Sequence, residues 1–379
     1  MKILSSLLLG FILFWFLQIA GAAVPAPPHI EARTYILQDF DSGKVLIENQ
    51  GDKRVEPASL TKLMTAYIVF QKIRVGEIKL TDSIRISEKA QHQSEYTSRM
   101  YLEANTEVSV ELLLKGMIIQ SGNDASIALA EFIGGTEEAF ASLMNEQAQK
   151  LGLKNTHYIN STGLPAEEHY SSSRDIARLS YALIYNFPEY YRLYSEREFT
   201  YNDITQGNRN LLLRRDKTVD GIKTGHTNGA GYCLAASAKR GNMRLIAIVM
   251  GAKSEKARTL ASEKMLDYGF RFFETHSLYK ARNPLDIERV WHGETAQLQL
   301  GLENALYVTV PKSQYQQMNA TLYIDKYIMA PVVAGNIYGT LKIRLDNQVI
   351  SERPLISLSS IEKGPFWKRL IDSFLLFFY

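Results

Sequence analysis

The chain has 379 residues, of which 46% are hydrophobic and 22% are charged, and its formal net charge is +3 at pH 7. These values are typical of a globular protein long enough for two domains, and so small a net charge without a basic run argues against a nucleic-acid partner. The single cysteine, Cys233, excludes an internal disulfide framework and a cysteine-rich zinc site. The 7 histidines form no ligand-spaced pair, so we expect neither a metal nor another cofactor.

The first 23 residues have the pattern of an export signal. Lys2 precedes an apolar stretch at residues 3–19, and residues 20–23 are small ones of the kind found at cleavage sites. An uncleaved anchor is the alternative, because the stretch is near the lower length limit of a membrane-spanning helix. We predict a cleaved signal peptide at residues 1–23 and an exported mature protein. A single cysteine in an oxidising compartment fits a bacterial periplasm.

The next segment, residues 24–282, combines predicted strands and helices. Two strands joined by a tight turn come first, at residues 33–40 and 45–48. A helix follows Pro57, and apolar runs predict further helices at residues 111–120, 124–133, 140–151 and 175–185. Strands at 219–225, 234–238 and 244–250 precede a closing helix at 256–273. This order predicts an α+β domain whose antiparallel sheet joins segments far apart in sequence.

Residues 283–361 predict a small all-β domain. Short alternating segments are separated by turn residues at 297–300, 306–310, 320–324, 339–345, 349–350 and 354–358. They contain no catalytic cluster, so we expect a structural or spacer role. The tail at 362–379 then forms one amphipathic helical stripe, too short and too charged to span a bilayer. It is either a helix that covers a domain face or, as we favour, an interfacial membrane anchor.

Ser59-Leu60-Thr61-Lys62 forms a Ser-x-x-Lys motif at a predicted helix start. Helix positions i and i+3 share one face, with Cβ atoms roughly 5–6 Å apart, so the Ser59 hydroxyl and the Lys62 amine can meet. A serine needs an adjacent base to act as a nucleophile, and a lysine becomes that base when burial or nearby cations lower its pKa. An ordinary helix cap followed by a solvated lysine has the same pattern, so the interpretation depends on the rest of the chain.

Two further motifs follow, Ser121-Gly122-Asn123 and Lys223-Thr224-Gly225. The Ser121 hydroxyl can relay a proton between Lys62 and a leaving amine, and Asn123 can bind a substrate amide through its donor and its acceptor. Lys223 supplies positive charge for an anionic substrate end and can lower the pKa of Lys62.

The third motif also brings backbone groups to the site. Thr224 adds a hydroxyl, and Gly225 lets a substrate backbone lie close to the strand. The backbone N–H groups of Ser59 and His226 are candidate donors for an oxyanion hole. We do not expect the His226 side chain to act as a base.

Three motifs in this order are the set shared by penicillin-binding proteins and class A β-lactamases. Segments at residues 120–125, 151–157, 219–227 and 269–274 resemble the D-alanyl-D-alanine carboxypeptidases among the low-molecular-mass penicillin-binding proteins. The resemblance covers essentially the whole mature chain. It implies a β-lactamase/transpeptidase-like domain at 24–282, a stalk-like β-sandwich domain at 283–361 and a membrane-anchoring helix at 362–379. It also implies attachment to the periplasmic face of the inner membrane.

The resemblance assigns roles to individual residues. Ser59 is implied as the acylated nucleophile, Lys62 as its general base, and Ser121 as the third catalytic residue. The implied substrate-binding residues are Asn123, Lys223, Thr224, Gly225, His226 and Arg258. Arg258 resembles the position that helps bind a terminal carboxylate, and the alternative is a surface arginine on the closing helix. The stretch at residues 88–105 is expected to border the active site.

The implied reaction removes the terminal D-alanine from peptidoglycan stem pentapeptides through a Ser59 acyl-enzyme. The expected partners are the stem peptide ending in D-Ala-D-Ala, β-lactam antibiotics and inner-membrane lipid. Endopeptidase and transpeptidase activities remain as alternatives, because the same acyl-enzyme serves all three. A class A β-lactamase is disfavoured because no Glu-x-x-Leu-Asn segment lies between Asn123 and Lys223, so β-lactams should remain bound as slowly released esters. A non-catalytic envelope scaffold is disfavoured because the motif residues are intact.

Overall fold

The structure is a computed structural model that describes residues 24–93 and 97–378. The predicted signal peptide at residues 1–23 lies outside the described residues. Residues 27–271 form one compact unit, and residues from Phe272 onwards belong to another. This division lies ahead of the boundary predicted at Asn283, because the strand Phe273–Tyr279 already pairs with the strand Leu306–Pro311 of the second unit.

The first unit contains a five-stranded antiparallel sheet in the order β2-β1-β9-β8-β7. The two strands from the beginning of the unit, Thr34–Asp39 and Val45–Asn49, pair with each other, and the first of them also pairs with the last strand, Met243–Ala252, with Ile36 opposite Ile248. The sequence prediction of an antiparallel sheet that joins distant segments is therefore confirmed. The strands of this unit are β1 (Thr34–Asp39), β2 (Val45–Asn49), β3 (Ser83–Arg85), β4 (Glu107–Ser109), β5 (Glu198–Tyr201), β6 (Ile204–Gly207), β7 (Val219–Thr227), β8 (Gly231–Arg240) and β9 (Met243–Ala252).

Helices account for most of the remaining core of this unit. Several begin where the side chain of a serine or threonine accepts a hydrogen bond from the first turn, as Ser172 does from Asp175 N. They are α1 (Lys62–Arg74), α2 (Glu88–Gln91), α3 (Val110–Lys115), α4 (Asn123–Gly134), α5 (Glu137–Lys150), α6 (Ser173–Asn186), α7 (Pro188–Tyr191), α8 (Leu212–Arg215) and α9 (Glu255–Phe272). The short helices α2, α7 and α8 were not predicted from the sequence, because one helical turn shows no periodicity.

Helix α1 lies at the centre of the first unit. Every residue from Lys62 to Phe70 is buried, so the helix is enclosed on all sides rather than along one stripe. A 3₁₀ turn, Ala58–Thr61, leads into it and carries Ser59. The predicted helix start at Ser59 is therefore corrected. The α-helix begins at Lys62, and Ser59 lies on the 3₁₀ turn that precedes this buried helix.

The second unit is mainly β. It contains a six-stranded sheet in the order β14-β16-β17-β12-β11-β15 and a pair, β10-β13. Its strands are β10 (Phe273–Tyr279), β11 (Pro284–Trp291), β12 (Gln297–Gly301), β13 (Leu306–Pro311), β14 (Met318–Ile324), β15 (Ile328–Met329), β16 (Ile337–Leu345) and β17 (Gln348–Ser357). The predicted all-β domain is confirmed in kind. The two segments predicted at 349–350 and 354–358 form one strand, and β10, β11 and the short β15 were missed.

The chain ends in helix α10 (Phe366–Leu376), as the amphipathic pattern predicts. Along the parts of the chain that the structure describes, no helix is both long enough and apolar enough to cross a bilayer.

Candidate active site

Ser59 and Lys62 meet as their spacing predicts. The Lys62 Nζ donates to Ser59 Oγ over 3.1 Å. The turn at Ala58–Thr61 makes this contact by tightening the chain just before α1 begins. A nucleophile and a candidate base therefore lie within hydrogen-bond distance.

The Lys62 amine is buried and fully engaged. Besides Ser59, it donates to Asn123 Oδ1 at 2.7 Å and to the Thr162 carbonyl at 2.6 Å. Burial lowers the pKa of Lys62 to about 7, and the charge of Arg209 adds to this lowering. A substantial fraction of the amine is therefore neutral at physiological pH, which is the state that a general base requires. The coupling to Lys223 that we predicted from the sequence appears on the other lysine, since the charge of Lys62 lowers the pKa of Lys223.

The second motif approaches Lys62 from the junction between α3 and α4. A π-helical turn, Gly116–Gln120, ends at Ser121, whose φ of 70° is left-handed. Among the described residues, the buried Ser121 Oγ has no hydrogen-bond partner. Such a free hydroxyl is costly in a packed core, and it is available to a reacting group. Asn123 begins α4, which places its amide oxygen on Lys62.

Asp124 lies in the first turn of α4, after the Gly122 cap position. Its buried carboxylate accepts from the backbone N–H groups of Met100 at 3.0 Å and Leu102 at 3.2 Å. These bonds hold the segment that carries Thr97 and Ser98 against the site. Part of the 88–105 stretch therefore lines the cavity, while residues 94–96 lie outside the described residues.

The third motif lies on β7, the edge strand of the five-stranded sheet next to the Ser59 turn. A Cβ at Gly225 would stand 3.1 Å from both Ser59 N and the Pro57 carbonyl, so only glycine allows this approach without displacement. Lys223 is buried, and burial together with the charge of Lys62 places its pKa well below the usual value for lysine. The His226 ring stacks on Tyr232 with centroids 4.1 Å apart.

Arg258 is not a surface arginine, which was the alternative left open from the sequence. It lies on α9 with 4% of its surface exposed. Its guanidinium donates to the Gly225 carbonyl at 3.2 Å and to Glu255 at 2.7 Å, and it stands over the Tyr232 ring. Burial lowers the pKa of Arg258, so the cation gains by meeting an anionic ligand.

These side chains border one cavity of about 700 Å³. The cavity is lined by Ser59, Ser121, Asn123, Thr224, Gly225, His226 and Arg258 of the predicted set, together with Thr97, Ser98, Thr162, Gly163, Leu164, Pro165, Arg209, Thr227, Asn228, Tyr232 and Glu255. Lys62 and Lys223 lie behind this surface, each at most 2% exposed. The structure thus brings all nine predicted site residues together. No group of three His, Cys, Asp or Glu side chains within the described ranges is placed to hold a metal ion.

Comparison with known protein families decides the classification. The D-alanyl-D-alanine carboxypeptidase family of peptidases, S11, matches residues 21–254, and the C-terminal domain of penicillin-binding protein 5 matches residues 273–363. This protein belongs to the S11 D-alanyl-D-alanine carboxypeptidase family. The resemblance stated from the sequence is confirmed.

Relatives of this S11 protein match over most of its length. The D-alanyl-D-alanine carboxypeptidase DacC of Escherichia coli is 43% identical and covers 99% of this chain and 97% of its own. The crystal structure of penicillin-binding protein 5 from Haemophilus influenzae is 40% identical, with a TM-score of 0.87 over 89% of this chain and all of its own. Penicillin-binding protein D2 of Listeria monocytogenes, solved in an ampicillin-bound form, is 30% identical with a TM-score of 0.59, over 65% of this chain and all of its own.

Sequence reasoning missed several residues around the S11 site. Arg209 and Thr162, which act on Lys62 through charge and through a carbonyl, belong to no motif. Glu255, which pairs with Arg258, lies just ahead of the helix predicted at 256–273 and was not singled out. One sequence feature could have indicated the loop that carries Thr162, namely the turn-rich run at residues 160–165. In the structure, Asn160 Oδ1 accepts from Thr162 N and Gly163 N and closes a tight loop there.

Proposed function

We propose that this protein removes the terminal D-alanine from peptidoglycan stem pentapeptides through an acyl-enzyme on Ser59. The observation that carries the proposal is the contact between Ser59 Oγ and a buried lysine whose pKa is about 7. A neutral Lys62 takes the Ser59 proton as Oγ attacks the carbonyl between the two D-alanines. The C–N bond then breaks, and D-alanine leaves as an amine after receiving a proton. Water hydrolyses the ester in the second half-reaction and frees Ser59.

Each remaining site residue has a role in this scheme. The Ser121 hydroxyl, which has no hydrogen-bond partner in the described part of the chain, passes the proton from Lys62 to the leaving amine. The backbone N–H groups of Ser59 and His226 are the donors that we assign to the developing oxyanion, supported by the close approach of β7 to the Ser59 turn. Thr224 lines the same strand and adds a hydroxyl beside the substrate.

We assign the substrate carboxylate to the cationic end of the cavity. Arg209, Lys223 and Arg258 all have lowered pKa values, caused first by burial. An anionic ligand would offset the free-energy cost of burying these three charges by stabilising their charged forms. A terminal carboxylate is such a ligand. Glu255, which now pairs with Arg258, is half exposed and free to turn away when the carboxylate arrives.

The same chemistry explains a β-lactam as an inhibitor. Its strained amide and its carboxylate imitate the D-Ala-D-Ala terminus, so Ser59 should open the ring and retain the ester. The ampicillin-bound relative supports this proposal.

The C-terminal helix supports a membrane attachment. The apolar side of α10 is exposed, from 41% at Leu375 to 72% at Trp367. Its polar side faces its own domain: Asp372 accepts from His292 N at 2.8 Å and from Arg289 at 3.2 Å, while Lys368 donates to the Gly293 carbonyl. An aromatic face held outward in this way suits the interfacial region of a bilayer. We propose that it binds lipid at the periplasmic face of the inner membrane, with Lys368 holding the helix to its domain rather than contacting lipid.

The test of the reaction uses the mature chain and a stem pentapeptide that ends in D-Ala-D-Ala. Products are followed by mass beside a Ser59→Ala variant. Loss of one D-alanine with wild-type protein only is expected. A cross-linked dimer would establish a transpeptidase instead, and no turnover at all would refute the proposal.

The test of the anchor is sedimentation with vesicles that contain phosphatidylglycerol. Replacing Trp367 and Phe374 by serine should release the protein into the supernatant. The matched control is Tyr323→Ser, because Tyr323 is an exposed aromatic on β14, outside the helix. Equal sedimentation of all three proteins would refute the anchor.

A further inference from the structure

His169 is a buried histidine that plays no part in the reaction described above. Only 4% of its surface is exposed, and it does not line the cavity. It directly precedes two residues that form single bridges, Tyr170 with His157 and Ser171 with Val55. The second bridge holds the chain beside His169 to the segment that leads into the Ser59 turn.

Both ring nitrogens of His169 are engaged. The backbone N–H of Ile159 donates to Nδ1 over 3.1 Å, and Nε2 lies 2.9 Å from the Thr61 hydroxyl. A backbone N–H is only a donor, so Nδ1 must be the bare nitrogen. The ring proton of the neutral imidazole is therefore on Nε2, which donates to Thr61.

These two contacts join the two parts of the protein that hold Lys62. Thr61 precedes Lys62 directly and belongs to the same turn as Ser59. Ile159 begins the loop at residues 159–165, and the Thr162 carbonyl of that loop accepts the hydrogen bond from Lys62 Nζ. A shift of either part would change the distance between the amine and its acceptor.

The loop and the turn also meet without intervening side-chain atoms. Gly163 has a φ of +84°, and a Cβ there would stand 1.8 Å from the Ala58 carbonyl oxygen. The Gly163 backbone packs directly against the Ala58 backbone at this point. The imidazole of His169 adds directional bonds from the Thr61 side to those that α1 already makes with the loop, from Thr65 Oγ1 to the Ser161 carbonyl at 2.8 Å and from Lys62 Nζ to the Thr162 carbonyl.

We propose that His169 is a positioning residue for Lys62, in which a neutral imidazole ties the Ser59 turn to the loop at 159–165 so that Thr162 O and Ser59 Oγ converge on the same amine. The inference rests on the proposed function only in taking Ser59 and Lys62 as the reacting pair. No group of the substrate touches His169.

The environment keeps the ring neutral. Burial, with smaller contributions from His157 and Lys62, lowers the pKa of His169 to about 4. A charged ring would present a second N–H to the Ile159 N–H, so it could not accept that bond. It would also place a cation close to Lys62. Glu137, which begins α5 and reaches this loop, is already engaged by the Ser161 N–H and hydroxyl.

Loss of the two His169 hydrogen bonds has a consequence that general destabilisation would not produce. When the loop moves away, Lys62 loses its Thr162 acceptor and becomes hydrated. Burial is the main cause of its low pKa, so hydration raises that pKa. The pH at which acylation reaches half of its maximum should then move upwards.

The experiment measures the second-order rate of acylation by a fluorescent penicillin against pH, on the full mature chain. The variants are His169→Leu, which removes both bonds, and Thr61→Val, which removes the hydroxyl but keeps the shape. The controls are Thr61→Ser, which keeps the hydroxyl, and His157→Gln, which changes the neighbouring histidine without touching the Ser59 turn. Thermal unfolding establishes that each variant is folded.

We expect both His169→Leu and Thr61→Val to lower the plateau rate about tenfold, the effect of about one hydrogen bond. Both should move the midpoint to higher pH, and the double variant should be no worse than the worse single one. Thr61→Ser and His157→Gln should keep the wild-type midpoint. If His169→Leu does not fold, Thr61→Val decides the question.

A Thr61→Val protein with the wild-type plateau and midpoint would overturn the inference, and so would additive losses in the double variant. Failure of the wild-type protein to react with penicillin is a different result, since it would contradict the proposed function and not the role of His169.

Discussion

The pH dependence of acylation follows from the burial of Lys62. With a pKa of about 7, the amine is about half neutral at pH 7. It is about one-tenth neutral at pH 6 and about nine-tenths neutral at pH 8. An unperturbed lysine has a pKa near 10.4, so only about 0.04% would be neutral at pH 7. Burial therefore raises the neutral fraction about a thousandfold at this pH.

The assay is the second-order rate constant for acylation of Ser59 by a penicillin between pH 5 and 10. This constant reports the pKa values of the free protein. We expect it to rise about tenfold between pH 6 and 8 and then to level off. A rate that keeps rising tenfold per pH unit above pH 8.5 would refute the assignment of a neutral Lys62 as base.

Replacing Arg209 should change the pKa of Lys62 in a known direction. Its charge lowers the pKa of Lys62, so Arg209→Gln should raise that pKa and move the midpoint to higher pH. Arg215→Gln is the matched control, because Arg215 is an exposed arginine paired with Glu263. An unchanged midpoint in Arg209→Gln would show that burial alone sets the pKa.

Three further outcomes follow from the structure. Ser121→Ala should slow D-alanine release about 10²–10⁴-fold without lowering the melting temperature, because the hydroxyl has no partner among the described residues; equal losses of activity and stability would contradict the relay. Gly163→Ala should destabilise the fold by about 3 kcal/mol in urea unfolding, whereas Gly76→Ala, at φ +78° with open space around it, should cost about 1 kcal/mol. Burial lowers the pKa of His169 to about 4 from its usual 6.5, so its contribution to the free energy of unfolding is fully present above about pH 6.5 and declines by about 3 kcal/mol as the pH falls to 4. The stability of His169→Leu should fall less over that range, and parallel curves would contradict this linkage.

Much of the site could be predicted because its catalytic residues belong to short sequence motifs. Ser59 and Lys62 are separated by three positions and meet within one turn. Lys223, Gly225 and their neighbours lie along one strand, whose apolar residues already predicted a place in the sheet. Once three such motifs are present, the packing of a single core brings them to one cavity.

Other parts could not be predicted because they depend on contacts between distant segments. Thr162 acts through its backbone carbonyl, which any residue would supply, and His169 acts through a bond to Thr61 across 108 positions. The left-handed conformation of Ser121 arises at the end of a π-helical turn, where the sequence showed only a continuous apolar helix. Strand β17 was divided because Ser351, Glu352 and Arg353 in its middle are polar on both faces, as an exposed strand allows.

The central claim is that Ser59 forms a covalent acyl-enzyme with the help of Lys62. The most direct measurement is the intact mass of the mature protein after exposure to penicillin, followed by peptide mapping. We expect one added penicillin on the peptide that contains Ser59, and no added penicillin on the Ser59→Ala protein. An adduct on another residue, or an equal adduct on the Ser59→Ala protein, would contradict it.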